Sequence, residues 1–269
     1  MSADLETVVV LLRRGGPLLS VLLAAWIVGR TAERSALRFG LPRPEIAALT
    51  PALAMTAIVA ARVVAVVPHW RVVAAHPLDL LRITDQLSLV GGVAGTVAGL
   101  FVLARRAQLP LLPVADLYGM AMPLGVAAYS ASCLLRDDCY GRVAAPPLGI
   151  VFPGLEAPRY PVGVYTAAAA LFAAGTLAWM TRHCSAPGVV ALGAIALLGA
   201  IRVLLAPLRL DAESTLLGAD QLITLAVTAI ALVVLQIVAL RWRRREGTAI
   251  TWPTSRTADT LRLRGRSPR

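Results

Sequence analysis

Residues 136 to 165 carry the densest set of side chains that could do chemistry in this chain. The segment opens Arg-Asp-Asp-Cys-Tyr-Gly-Arg over residues 136–142, passes through a Pro-rich turn, and closes with Arg159-Tyr160-Pro161 leading into Tyr165. Carboxylates and tyrosines can accept or donate protons, and a guanidinium can hold phosphate oxygens through two parallel hydrogen bonds. The segment lies between two long apolar runs, where backbone polar groups survive near a bilayer only if protein or water satisfies them. It is therefore the predicted place for chemistry.

The charged side chains of this segment could form a mouth around a reacting group. Five of them are close in sequence: Arg136, Asp137, Asp138, Arg142 and Arg159. Two adjacent carboxylates flanked by arginines can orient a nucleophile, or the charges can simply neutralise one another. Both interpretations remain open from the sequence.

Two further arginines, Arg62 and Arg202, interrupt otherwise apolar runs. An arginine in the middle of a membrane span costs at least ~2.5–3.5 kcal/mol, so it is expected to face a cavity, a counter-ion or a phosphate. An anionic phospholipid headgroup would be a natural ligand at that depth. The alternatives are snorkelling toward the interface and pairing with backbone carbonyls. Snorkelling is open for Arg62 in particular, because it lies near the end of its run.

The composition indicates an integral membrane protein. Hydrophobic residues make up 58% of the chain and charged residues 15%, and the mean hydropathy is +0.73. The net charge of +11 comes from arginines scattered between apolar runs, which argues against a nucleic-acid surface. We predict an all-α fold, a seven-transmembrane-helix bundle with a small extracytoplasmic loop region. The predicted spans are Pro17–Gly29, Ile46–Val67, Leu87–Ala104, Leu111–Leu135, Val162–Met180, Val189–Leu205 and Leu216–Leu240.

The distribution of arginines predicts the orientation of these spans. Sixteen arginines fall on one side of the predicted bundle and eight on the other, and the richer side should be cytoplasmic. The amino terminus and the loop at 136–161 are then outside, and the carboxy terminus is cytoplasmic. We predict a membrane domain over residues 1–240 and a basic, disordered tail over 241–269 that is attracted to anionic lipid.

Small residues and cysteines add less specific signals. Gly91 and Gly92 at the start of the third span allow a lipid or a neighbouring helix to approach closely, and helix packing alone explains them equally well. Cys133 and Cys139 lie six residues apart, where oxidation to a disulfide is possible, and unpaired, packing thiols are the interpretation we favour. The three histidines are dispersed, so neither a metal site nor a cofactor is predicted.

The order of these motifs resembles that of the bacterial prolipoprotein diacylglyceryl transferase family, over nearly the whole chain up to about residue 240. Ala61-Arg62 is similar to the family's Gly-Arg in span two, and the residues Ser88–Gly92 are similar to its Ser-Phe-His-Gly-Gly. Further matching segments are Ala104–Arg106, Val114–Asp116, Pro123–Gly125, Cys133, Cys139–Arg142, Pro147–Gly149, Phe152-Pro153, Arg159–Tyr165, Arg202 and Gln221.

The resemblance implies a function and a set of site residues. Family members transfer a diacylglyceryl group from phosphatidylglycerol to the lipobox cysteine thiol of a secreted lipoprotein precursor, in the bacterial plasma membrane. By resemblance, the phosphate- and substrate-binding residues would be Arg62, Gly91, Gly92, Arg142, Arg159, Tyr165 and Arg202. Asp138 or Tyr140 would assist the proton transfer.

The chain departs from the family pattern at several catalytic positions. Val90 stands where the family has histidine, Ser130 where it has arginine, and Ala206 where it has glutamate. Around residue 160, the expected His, Gln and Glu are Tyr160, Gly163 and Thr166. Whether the chain is an enzyme is therefore open. The hypotheses are a divergent transferase, a catalytically silent relative that binds phospholipid or lipoprotein precursors, and an unrelated transporter-like bundle.

Overall fold

The computed structural model describes residues 2–66, 88–136, 139–152, 155–183, 186–209 and 219–244. In these ranges the fold is all-helical, with isolated β-bridges confined to the segments that follow α4 and α6. The helices are α1 (Ser2–Ser35), α2 (Arg43–Val66), α3 (Leu89–Arg106), α4 (Leu111–Arg136), α5 (Val162–His183), α6 (Val189–Leu205) and α7 (Ala219–Arg244). Short 3₁₀ helices, Ala36–Phe39 and Ala206–Leu208, follow α1 and α6.

Five segments of the described chain are long and apolar enough to cross a membrane. They are Arg43–Val66, Leu111–Ser132, Val162–His183, Val189–Leu208 and Gln221–Val238. They fall in α2, α4, α5, α6 and α7, close to the spans predicted from hydropathy. The helical fold is thus confirmed, and five of the predicted spans have helices that meet this test.

The first helix is much longer than its predicted span. The predicted span Pro17–Gly29 lies inside α1, which runs from Ser2 to Ser35. Arg13 and Arg14 interrupt the hydropathy of this region, but arginine is a good helix former and does not interrupt the helix. Hydropathy therefore located the apolar part of α1 and missed its polar extensions.

Helix α4 is the centre of the bundle and contacts α1, α5 and α6. In the apolar 18-residue window of its segment Leu111–Ser132, 56% of the residues are buried, a larger share than in any of the other four candidate spans. Val114, Leu117 and Ala121 are fully buried in a cluster that also takes in residues of α1, α2, α5 and α6. The position of every neighbouring helix is consequently set against α4.

A buried carboxylate on α4 fixes the start of α6. Asp116 is 1% exposed, and its two oxygens accept hydrogen bonds from the backbone N–H groups of Gly188 at 2.6 Å and Ala191 at 2.8 Å. The first N–H groups of a helix have no partner within the helix, so this side chain satisfies donors that would otherwise be buried and unpaired. The Val114–Asp116 motif thus positions the helix that carries Arg202.

Contacts between helix ends show which ends lie together. Thr50, near the start of α2, shares a 2.8 Å hydrogen bond with the hydroxyl of Tyr118, near the start of α4. The two helices therefore run in the same direction, and α3 and α5 return antiparallel to them. The ends of α2, α4 and α6 and the starts of α3 and α5 lie at one end of the bundle, which we call the loop end.

Glycines on one face of α3 allow it to pack tightly against α2. Gly91, Gly95 and Gly99 recur at every fourth residue and are buried. A Cβ placed on Gly95 would collide with the Cβ of Ala60 and would lie 2.6 Å from the carbonyl oxygen of Thr56. Close backbone approach at small residues is a principal source of helix association in lipid.

The α2–α3 contact predicts that even one added methyl group at Gly95 is destabilising. Gly95→Ala should lower the free energy of unfolding by about 1–3 kcal/mol through overpacking, although Ala is preferred to Gly within an isolated helix. The matched control is Gly175→Ala in α5, where a Cβ would meet nothing within 4 Å. The check is the unfolding free energy in detergent, and equal values for the two variants would contradict this packing.

Candidate functional site

The loop end gathers most of the residues that the sequence singled out. Arg62 lies near the end of α2, Gly91 and Gly92 in the first turn of α3, and Arg202 near the end of α6. Arg62 and Arg202 are both half-buried. The segment 139–161, between α4 and α5, lies at the same end because it joins the end of one helix to the start of the other.

The junction of α2 and α3 brings two of the predicted motifs into contact. The N–H of Ser88 donates to the carbonyl of Ala61 at 3.1 Å, and the Ser88 hydroxyl oxygen accepts from the N–H of Gly91 at 3.2 Å. A Cβ on Gly91 would lie 2.5 Å from the carbonyl oxygen of Ala60. Gly91 therefore packs directly against α2. A Cβ on Gly92 would have one neighbour within 4 Å, the Cβ of Ala61 at 3.6 Å.

The segment 139–161 folds back on itself through backbone hydrogen bonds. The carbonyl of Tyr160 accepts from Gly141 at 2.8 Å, and the N–H of Tyr160 donates to Arg142 at 3.1 Å. Arg159 and Ile150 exchange both of their bonds, at 2.9 and 3.0 Å. The two predicted motifs, around Gly141 and around Arg159, are therefore neighbours in space.

Arg159 connects the aromatic and backbone parts of this segment. Its Nη1 donates to the carbonyl of Gly141 at 3.3 Å, and its guanidinium carbon lies 5.5 Å from the centroid of the Tyr140 ring. The Tyr140 ring in turn contacts Phe152, with ring centroids 5.7 Å apart. The Nε of Arg159 is buried and has no hydrogen-bond partner within the described ranges. A buried charged donor without a partner is costly, so this N–H is a site for an acceptor.

The segment is also tied to the end of α6. The N–H of Arg142 donates to the carbonyl of Leu208 at 2.9 Å, and Gly141 forms a β-bridge with Arg209. A Cβ on Gly141 would collide with the carbonyl oxygen of Leu208. No sequence pattern predicts that Arg209 belongs to this region, because the partner of a β-bridge is not encoded in local spacing. Arg142 itself is exposed.

The expectation of free thiols at Cys133 and Cys139 is wrong. The two residues form a disulfide that joins the last turns of α4 to the start of segment 139–161, with their Cα atoms 5.6 Å apart. This separation lies within the usual range for disulfides. Six residues of sequence separation permit either state, and only the turn of the chain after α4 brings the two sulfurs together.

The Tyr165 hydroxyl donates a 2.6 Å hydrogen bond to the carbonyl of Leu148. Tyr165 lies in the first turn of α5, so the bond holds the middle of segment 139–161 against that helix. In this structure the hydroxyl predicted to bind substrate is used for positioning the segment.

Two departures from the expected catalytic pattern pack directly against each other. Ser130 is 7% exposed in α4, and Gly163 is buried in α5. A Cβ on Gly163 would lie 2.8 Å from the carbonyl oxygen of Ser130 and 2.9 Å from the Cβ of Cys133. The space that a side chain at position 163 would need is thus occupied by α4. Ala206, the third departure, is also buried.

Some of the predicted residues lie outside the described structure. Asp138 is not among the described residues, and the side chain of Val90 is likewise outside them although its backbone is part of α3. Across the described ranges, no group of three or more His, Cys, Asp or Glu residues could hold a metal ion.

Comparison with known proteins gives one consistent match. The sequence profile of a family described as prolipoprotein diacylglyceryl transferase matches residues 17–242. A phosphatidylglycerol–prolipoprotein diacylglyceryl transferase of Methylocella silvestris is 32% identical over 127 residues, which cover 44% of this chain and 47% of that protein. The similarly named protein of Vibrio cholerae O395 is 29% identical over 151 residues, 55% of each chain. The chain thus spans about half the length of the curated relatives it matches.

The disulfide predicts how many thiols can be alkylated. The chain has three cysteines, so without reductant one thiol, that of Cys184, should react in denaturant, and after reduction all three should react. Intact-mass spectrometry with and without reductant counts the adducts. The double variant Cys133→Ser, Cys139→Ser is the control, and it should give one adduct in both conditions. Three adducts on the unreduced native chain would contradict the disulfide.

The contact of Gly141 with Leu208 predicts a local effect of substitution. Gly141→Ala should detach segment 139–161 from the end of α6, because the new Cβ cannot share space with the Leu208 carbonyl oxygen. Limited proteolysis should then cut within 139–161 faster than in the native chain, while the helical circular dichroism is unchanged. Gly175→Ala again serves as the control, and equal cleavage rates in both variants would contradict the role given to Gly141.

Proposed function

This chain belongs to the prolipoprotein diacylglyceryl transferase family, and on that premise we propose that it transfers a diacylglyceryl group from phosphatidylglycerol to a lipobox cysteine thiol. The observation that carries the proposal is the gathering of the motif segments at one end of the bundle. Ser88 bonds to Ala61 beside Arg62, and Arg142 bonds to Leu208 just beyond Arg202. Arginines that are far apart in sequence therefore lie at the same end of the bundle, the loop end.

The proposed reaction needs a proton acceptor and positive charge. The thiol sulfur forms a bond to the carbon of the diacylglyceryl group that bears the phosphate. At the same time, the bond from that carbon to the phosphate oxygen breaks. The leaving oxygen takes the electron pair, so glycerol phosphate departs, and the thiol proton passes to a base. Guanidinium groups stabilise the charge that develops on the leaving phosphate.

We assign the phosphate-binding role to Arg62, Arg142, Arg159 and Arg202. The buried Nε of Arg159 supports this assignment, because a phosphate oxygen would satisfy the donor that the described residues leave unpaired. Arg142 has an exposed side chain in the same folded segment. Gly92, with more open space than Gly91, is the better candidate for close approach of a lipid.

Proton transfer is assigned to segment 139–161 and the residues just before it. The Tyr140 ring contacts both Arg159 and Phe152, and a tyrosine hydroxyl can act in proton transfer. Asp138 lies two residues earlier in the sequence and is the second candidate. Neither assignment needs a metal ion or an organic cofactor, and the phospholipid and the lipoprotein precursor are the proposed partners.

The proposed setting is the bacterial plasma membrane. We propose seven spans, with α1 and α3 crossing beside the five helices that meet the length and hydropathy test. The amino terminus and the loop end would face outward, and the tail 241–269 would face the cytoplasm, following the arginine distribution. The membrane domain would then cover residues 1–240.

A binding protein without catalysis is the second candidate, and the packing of Ser130 against Gly163 favours it. Family resemblance implies an arginine at position 130 and a glutamine at position 163, and the glutamine would not fit into the contact described above. Such a protein would hold phospholipid or a lipoprotein precursor at the loop end without transferring the lipid.

A single reconstitution experiment distinguishes the transferase from the binding protein. The purified protein in phosphatidylglycerol vesicles, incubated with a lipobox peptide, should give a diacylglyceryl adduct on the peptide cysteine, detected by mass spectrometry. Arg202→Ala should lower the rate by about 100-fold, the effect typical of removing a group that stabilises developing charge. Arg182→Ala, an exposed arginine at the opposite end of the bundle, is the matched control and should not change the rate.

Absence of an adduct, with an active family member tested alongside, would contradict the transferase proposal. In that case, phosphatidylglycerol retained by the native protein and lost from Arg202→Ala would establish the binding role. Equal rates for the native chain and Arg202→Ala would remove Arg202 from the site.

A further inference from the structure

The middle of segment 139–161 exposes an apolar surface, although this loop was predicted to be polar. We call residues 143–151 the apolar tip. Its large side chains Val143, Leu148, Ile150 and Val151 are 61%, 57%, 41% and 66% exposed. Ala145, Pro146 and Pro147 between them are also exposed, and the tip contains no charged residue. In a loop that faced only water, so continuous an apolar surface would be costly.

Part of the backbone of the apolar tip is hydrogen-bonded within the protein. Pro146 and Pro147 have no N–H group to satisfy. The N–H groups of Ala144, Leu148, Gly149 and Ile150 donate to the carbonyls of Pro158, Ala145, Ala145 and Arg159, respectively. The carbonyls of Ile150 and Leu148 accept from the Arg159 N–H and the Tyr165 hydroxyl. These bonds tie the tip to Pro158 and Arg159 and to the start of α5.

The position of the tip along the bundle is set by Tyr165. Helix α5 has 22 residues, and at 1.5 Å per residue it is about 33 Å long, close to the ~30 Å thickness of the hydrocarbon core. Tyr165 lies in its first turn and holds Leu148 by a 2.6 Å hydrogen bond. Along the bundle, Leu148 and the apolar tip therefore lie near the start of α5.

We propose that the apolar tip inserts into the bilayer interface at the loop end. The side chains of Leu148 and Val151 would enter the boundary between headgroups and acyl chains, and the exposed Arg142 beside the tip would contact anionic headgroups. An apolar surface flanked by basic side chains is the arrangement by which peripheral segments bind such membranes.

Insertion of the tip has a consequence for the neighbouring residues. Tyr140, Arg142 and Arg159 belong to the same hydrogen-bonded segment, so they would be held at headgroup depth. A phospholipid diffusing in the plane of the bilayer would then meet these residues laterally, without leaving the membrane.

The test uses the full-length protein in lipid vesicles with a polarity-sensitive fluorophore on the tip. In a Cys184→Ser background, with Cys133 and Cys139 oxidised, single cysteines are introduced as Leu148→Cys and Val151→Cys and labelled with a nitrobenzoxadiazole dye. Glu156→Cys is the matched control, since Glu156 is exposed on the same loop but polar. Vesicles contain phosphatidylglycerol, with and without spin-labelled lipid as quencher.

Labels at Leu148 and Val151 should emit at shorter wavelength than the label at Glu156 and be quenched several-fold more strongly by spin-labelled lipid. Emission and quenching equal to those of the Glu156 label would overturn the proposal. Labels that are exposed to water in vesicles and become shielded only when a lipobox precursor peptide is added would also overturn it, and would assign the tip to the precursor instead. None of these readouts requires transferase activity, so failure of the proposed reaction leaves the test intact.

Discussion

Internal satisfaction of backbone hydrogen bonds is the constraint on which this structure depends. Within lipid, a helix meets this constraint by itself, which is why the apolar runs of the chain form α2 and α4 to α7. The described residues of segment 139–161 form no helix and meet the constraint in part, by pairing with one another, with Leu208 and with Tyr165. The same bonds fix the position of this irregular segment relative to α5 and α6. Stability and placement of the candidate site therefore have one origin.

Much of the fold follows from one-dimensional properties of the sequence. Runs of about 20 apolar residues locate the helices because the bilayer sets their length. The in-span arginines Arg62 and Arg202 also stand out in the sequence, because charge is rare in such runs. Hydropathy does not measure how far a helix continues into polar sequence. For this reason, the polar ends of α1 were not predicted. The profile match over residues 17–242 likewise reflects the order of motifs along the chain.

The choice of partners could not be predicted in the same way. Asp116 was noticed only as part of a motif, and its role in capping α6 depends on which helix happens to pack beside it. Tyr165 was expected to contact substrate, yet its hydroxyl reaches a carbonyl 17 residues earlier in the chain. The disulfide between Cys133 and Cys139 depends on how the chain turns after α4. Each of these contacts joins two different parts of the fold. The spacing of residues within one part does not determine such a contact.

The proposed site draws on both the loop and the helices. At the α4–α5 contact, a Cβ on Gly163 would lie 2.8 Å from the carbonyl oxygen of Ser130, so a side chain at position 163 has no room there. Of the residues proposed for the chemistry, Tyr140, Arg142 and Arg159 lie in the segment held by the disulfide and by Tyr165, whereas Arg62 and Arg202 lie on α2 and α6. Such a site would depend on the position of the loop relative to those two helices. Where that loop lies relative to the headgroups then governs which lipid atoms its side chains reach.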